Sequence, residues 1–292
     1  VIRARERIFD IAITATGRVL LVRDRLLGRI GRGGSSETPG TVSRHAIPSG
    51  SQILDAVLVT PDANSARASL LICHGIGETV EHWLAVQQLL AANGVASLVF
   101  DYSGYGRSSG FFNSNQSEQD AIAAFAYLQQ LTTPLPVSLL GFSLGSGIAC
   151  AIIHKVPAYR LVLCAAFTSL RKAAASIGFP KFLVSLVPPV WDAKDALCNC
   201  PVPVLVVHGE RDRLFPVRMA QELIALCGSQ SELVIVPTVA HNQPFRRPQL
   251  SYWEAIISWV LAADGTPAII VRSQVPKSGP GAPGSGSQKL TE

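Results

Sequence analysis

Short apolar runs alternate with longer amphipathic stretches through most of the chain. Runs rich in β-branched and other apolar residues occur at Ile53–Val59, Leu70–Cys73, Ala96–Phe100, Val137–Leu140, Leu161–Cys164, Val204–Val207 and Leu233–Val236. Several are apolar at every position, the pattern of strands covered on both faces. Between them, Thr79–Ala92, Ser117–Leu131, Leu144–His154, Val217–Leu226 and Pro248–Leu261 carry helical spacing. Strand and helix in alternation predict an α/β protein with a doubly wound, mostly parallel sheet. Arg44–Ile47 is expected to add an antiparallel edge strand.

One connection is too long for a single helix. Between Cys164 and Val204 lies a segment with Phe167, Phe179, Phe182, Leu183, Leu186, Val187 and Trp191. It leaves the carboxyl edge of the sheet, where ligands bind in open α/β folds. A cap insertion over about 167–200 is therefore expected, with Phe179, Phe182, Leu186 and Trp191 lining an acyl pocket from above. The boundaries read as a basic arm and linker over 1–41, the main domain over 42–264, and a Gly/Pro/Ser-rich flexible tail over 265–292.

Composition sharpens this picture at three points. The chain has 292 residues, 48% hydrophobic and 15% charged, enough for a large buried core. The net charge of +5 resides in residues 1–34, where eight arginines face Glu6, Asp10 and Asp24, so the body is neutral and nucleic acid is not an expected partner. The six cysteines lie mostly in apolar runs, and Cys198 and Cys200 lack the second pair or histidine of a zinc site. No metal is expected, and reduced thiols suit a cytoplasmic protein.

The chemistry centres on Leu139–Gly147, LLGFSLGSG. A strand runs directly into a helix, and Gly141 and Gly145 remove the clashes of so sharp a turn. Ser143 is left at its tip, facing a helix N-terminus with free N–H groups and partial positive charge. A serine hydroxyl needs a base, and the base an orienting acid. Asp212 follows the strand Val204–Val207, and His241 follows Leu233–Val236, each in a loop at a strand's carboxyl end. Glu210 and Asp192 are the rival acids. Leu144 and Ile76, the latter in the loop CHGIGE after Leu70–Cys73, supply the expected oxyanion amides, while His74 reads as a loop anchor.

HGIGETVEHW, DYSGYGRSSG, GFSLG, HGERDRLFP and AHNQPF, in this order, resemble the α/β-hydrolase superfamily across about residues 42–263. DYSGYGRSSG and the short insertion are most similar to the branch containing acyl-protein thioesterases (depalmitoylase-like enzymes) and bacterial esterases. The resemblance implies Ser143 as nucleophile, Asp212 as acid and His241 as base, with Ile76 and Leu144 as oxyanion donors. It implies structural roles for Asp101 and Ser103. Residues 1–41 match no element of the family, and the oxyanion loop is not the three-glycine type of many lipases.

Acyl transfer to water follows from these parts. Carboxylic ester hydrolysis is the first expectation and thioester hydrolysis the second; amides come last, since an amine leaving group must be protonated. No cofactor is needed, because nucleophile and base both come from the chain. A catalytically silent binding module of the same fold is the alternative of another class. For the arm, residues 8, 12, 15, 19, 22, 26 and 30 step at helical spacing with arginines mostly off that stripe. Two partners suit it: an anionic membrane surface, which would make the protein membrane-associated, or a second copy of the chain.

Overall fold

The computed structural model describes residues 39–62 and 65–263, together with Asp10 and residues 15–16. The rest of the arm and the tail, and with them the helical, membrane-contact, self-association and flexible-tail expectations, lie outside the described residues. Asp10 Oδ1 accepts the Ser114 N–H at 3.3 Å.

Eight strands form one sheet: β1 (Thr41–Ser49), β2 (Gln52–Thr60), β3 (Ala68–Cys73), β4 (Val95–Phe100), β5 (Val137–Phe142), β6 (Leu161–Cys164), β7 (Val204–Gly209) and β8 (Glu232–Val236). Their order across the sheet is β1-β2-β4-β3-β5-β6-β7-β8. β2 runs antiparallel to both β1 and β4, and every other pairing is parallel. The helices are α1 (Val80–Ala92), α2 (Ser114–Thr132), α3 (Leu144–Ile152), α4 (Leu170–Ser176), α5 (Lys181–Val184), α6 (Ala193–Leu197), α7 (Val217–Ile224), α8 (Gln243–Arg246) and α9 (Leu250–Leu261).

The apolar strands are buried on both faces because alternate side chains enter two different cores. Leu71, Leu139, Leu163 and Val206 point to one, where Phe125 and Leu128 of α2, Ile148 of α3 and Leu223 of α7 close over them. Leu70, Ile72, Leu140, Val162 and Leu205 point to the other, beneath Trp83 and Leu90 of α1 and Trp253 and Ile256 of α9. This doubly wound, mostly parallel sheet is the fold class the sequence pattern implies.

Two elements differ in extent from the sequence reading. The edge strand is longer than its apolar core, because Thr41–Ser49 pairs along its whole length with β2. Helix α2 starts at Ser114 instead of Ser117, because the Asn113 side chain caps it, accepting the Gln116 N–H at 2.8 Å. The insertion between β6 and β7 folds as three short helices, α4 to α6.

Candidate active site

β5 enters α3 through one residue, Ser143, with φ 51° and ψ −117°. A side chain rarely adopts this conformation, and it persists only where the surroundings impose it. Here the Ser143 N–H donates to Cys164 O at 3.0 Å, and its carbonyl accepts from Ser146 N at 2.9 Å and Ser146 Oγ at 2.6 Å. The turn is so tight that a Cβ on Gly145 would stand 2.0 Å from Cys73 O and 2.7 Å from His74 O. The first turn of α3 therefore rests directly against the loop that follows β3.

Loops at the carboxyl ends of β7 and β8 bring two more groups to Ser143. Asp212 Oδ1 accepts the N–H groups of Leu214 and Phe215, both at 2.9 Å, which fixes the carboxylate. Its Oδ2 stands 2.6 Å from His241 Nδ1. A carboxylate only accepts, so Nδ1 carries the proton. His241 Nε2 is then the acceptor for the Ser143 hydroxyl, 3.0 Å away. Ser143, Asp212 and His241 are all buried. Burial pushes the Asp212 carboxyl up, but the hydrogen bond to His241, the His241 and His208 charges and the Phe215 amide outweigh it and hold it below the usual range. Phe142 and Phe215 enclose the His241 ring, with centroids at 5.5 Å and 5.1 Å.

The rival acids point elsewhere. Glu210 is exposed and accepts the Thr238 N–H at 3.2 Å. Asp192 caps α6, accepting the Lys194 N–H at 3.0 Å. His74 is a buried loop residue whose Nδ1 donates to Gly75 O at 2.8 Å. Among the described residues the amides of Leu144 and Ile76 have no acceptor; Leu144 opens α3, where no intrahelical partner exists. The loop that carries Ile76 is the one whose start, at Cys73 and His74, lies against Gly145 in the first turn of α3.

The four residues expected to roof an acyl pocket are placed otherwise. Phe179, Phe182 and Leu186 are 45%, 76% and 48% exposed. Trp191 is buried against α3, so that a Cβ on Gly147 would lie 2.8 Å from Trp191 Cβ. It also meets Phe112 edge-on at 6.5 Å. Of the four, Trp191 is core and the other three are exposed to solvent. The aromatic group nearest the base is instead Phe215, which contacts Phe167 of the insertion at 5.7 Å. Phe215 lies in the motif HGERDRLFP, and its distance of three residues from Asp212 was the available signal.

A strained serine at a strand–helix turn, hydrogen-bonded to a histidine and through it to an aspartate, on a sheet of this order, is the arrangement described for α/β-hydrolases that act on esters. The chain has the α/β-hydrolase fold. The family model described as serine aminopeptidase, S33, matches residues 64–194, which include Ser143 and end before Asp212 and His241. An uncharacterized protein of Mycobacterium tuberculosis is 28% identical over 217 residues, covering 68% of this chain and 77% of that one. Lysophosphatidylserine lipase ABHD12 of Danio rerio is 26% identical over 213 residues, covering 65% of this chain and 56% of the lipase. The chain spans about half the length of the ABHD12 relatives it matches. Among solved structures, Pyrococcus furiosus esterase Pf2001 superposes with a TM-score of 0.63 at 19% identity, covering 80% of this chain and 94% of that one. An Exiguobacterium antarcticum esterase gives 0.60 at 18% identity, covering 75% of this chain and all of that one.

Proposed function

We propose that the protein is a serine esterase that hydrolyses carboxylic esters through an acyl-enzyme. The observation that carries this reading is the relay itself: Ser143 Oγ at 3.0 Å from His241 Nε2, and His241 Nδ1 at 2.6 Å from Asp212 Oδ2. Ser143 Oγ attacks the ester carbonyl carbon while His241 Nε2 takes its proton. The carbonyl oxygen becomes an oxyanion, received by the N–H groups of Ile76 and Leu144 and the positive end of α3. Collapse expels the alcohol, which leaves with the proton from His241. Water then attacks the acyl-serine, His241 takes its proton, and the carboxylic acid departs as Ser143 recovers its hydrogen. Asp212 holds the ring in the required tautomer and stabilises its positive charge.

The likeness to lipases and esterases favours an acyl ester of low polarity as substrate, and the buried aromatic groups around His241 suit one. Thioesters share every step. No cofactor enters the scheme. Among the described residues no helix is long and apolar enough to cross a membrane.

An active-site-directed fluorophosphonate tests the reading. The native protein is expected to be labelled at Ser143, and Ser143→Ala to lose label and at least ~10³-fold of its turnover of a short p-nitrophenyl ester while keeping its fold. A protein that is neither labelled nor active is a binding module.

A further inference from the structure

The loop that carries Ile76 is held by a carboxylate that plays no part in the relay. Glu78 lies near the start of α1 and is only 5% exposed. Its Oε2 accepts two hydrogen bonds, from the Gly75 N–H and from Trp83 Nε1–H, both at 2.9 Å. Its Oε1 lies so close to the Gly75 backbone that a Cβ there would meet it at 2.5 Å. From the other side, Tyr102 Oη–H donates to His74 O at 2.9 Å, and His74 Nδ1 donates to Gly75 O at 2.8 Å. The amide of Gly75 and the carbonyls of His74 and Gly75 are thus all engaged, while the next amide, that of Ile76, has no acceptor among the described residues.

Trp83 makes this bracket rigid. Its ring meets Phe142, the residue before Ser143, at 5.5 Å, and stacks on Phe245, from the helix after His241, at 5.6 Å. One carboxylate therefore ties the oxyanion loop to a ring that touches both the nucleophile strand and the segment bearing the base. Burying a carboxylate costs free energy, and an apolar side chain would fill the space without that cost. A residue placed only for packing need not be an acceptor. One that orients a backbone amide must be, because Gly75 N–H has no other partner.

We infer that Glu78 is a positioning residue that sets the Ile76 amide in the oxyanion site. This rests on the serine-esterase reading. It requires an acceptor oxygen at that point and not a charge, so glutamine in one rotamer can serve.

The experiment compares Glu78→Gln and Glu78→Leu on a short p-nitrophenyl ester, with thermal unfolding measured on each. Glu78→Leu is expected to lower kcat by ~10²-fold with KM within about 3-fold, the loss typical of one misplaced oxyanion donor. Glu78→Gln is expected to restore kcat to within about 3-fold of native. Should Glu78→Leu not fold, Gly75→Ala displaces the carboxylate without removing it and is expected to show the same kcat-selective loss. Equal losses in Gln and Leu variants, a loss confined to KM, or a folded Leu or Gly75→Ala variant with native kcat overturns the inference. Failure of the esterase reading is separate: it appears as a native protein without turnover, or a Ser143→Ala protein that keeps it, and the inference falls with it.

Discussion

His208 and Asp212 stand four residues apart with His208 Nε2 3.6 Å from Asp212 Oδ2, the oxygen that His241 also engages. His208 Nε2 donates to Phe215 O at 2.9 Å, so that nitrogen carries a proton, and the buried Nδ1 has no hydrogen-bond partner among the described residues. Two histidines therefore share one carboxylate, and only one of them reaches Ser143.

That arrangement makes stability depend on pH. Burial lowers the His208 pKa, with His241 adding to the effect, against a partial rise from the Phe215 carbonyl and Asp212. An unfolded histidine titrates near ~6.5, so on acidification the unfolded chain takes up this proton first. The contribution is fully present above about pH 6.5 and is lost as pH falls toward the lower folded value. Urea midpoints measured from pH 8 to pH 5 should fall more steeply for the native protein than for His208→Gln. Parallel slopes would rule His208 out as the source.

The Gly145 contact leaves no room for a methyl group. Gly145→Ala is expected to cost about 3 kcal/mol or more, because the obstacles are backbone atoms that cannot rotate away. Denaturant unfolding checks this; a variant within 0.5 kcal/mol of native (roughly the scatter of neutral surface changes) would mean that the turn has slack.

The insertion gives a sharp contrast in stability. Serine at Phe182, which is 76% exposed, should shift stability by no more than about 0.5 kcal/mol, and serine at the half-buried Phe179 or Leu186 by no more than about 1.5 kcal/mol each. Trp191→Ala should cost about 3–5 kcal/mol. If the three outward residues prove as costly as Trp191, they are packed, and the roof over the site is closed after all.

Much of this architecture was legible because apolar runs of strand length have few other uses. β3, β6 and β7 each enter two cores at once, so the fully apolar runs Leu70–Cys73, Leu161–Cys164 and Val204–Val207 mark them directly. The proximity of Ser143, Asp212 and His241 was readable for a related reason: each follows a strand of one parallel sheet, and parallel strands deliver their following loops to the same edge. The exposure of Phe179, Phe182 and Leu186 was not legible, because an apolar side chain in a loop-rich segment carries no sign of which way it faces. Glu78 and His208 were overlooked for the opposite reason. A charged residue in a glycine-rich loop reads as solvated, and only the packing of Trp83 and Phe215 around these groups reveals that they are buried.

The meeting of Trp83 and Trp253, with ring centroids 6.1 Å apart, has a consequence for how the chain is made. The face of the sheet under Trp83 and Phe142 is sealed by α9, from Leu250–Leu261, near the far end of the described residues. A ribosome emits the nucleophile strand more than a hundred residues before the helix that covers its neighbours. Throughout that interval the apolar rings of Trp83 and Phe142 wait for a cover not yet synthesised. Such a nascent chain is a natural client for holdase chaperones, and premature termination before α9 leaves a product with all of the described strands present and this face uncovered.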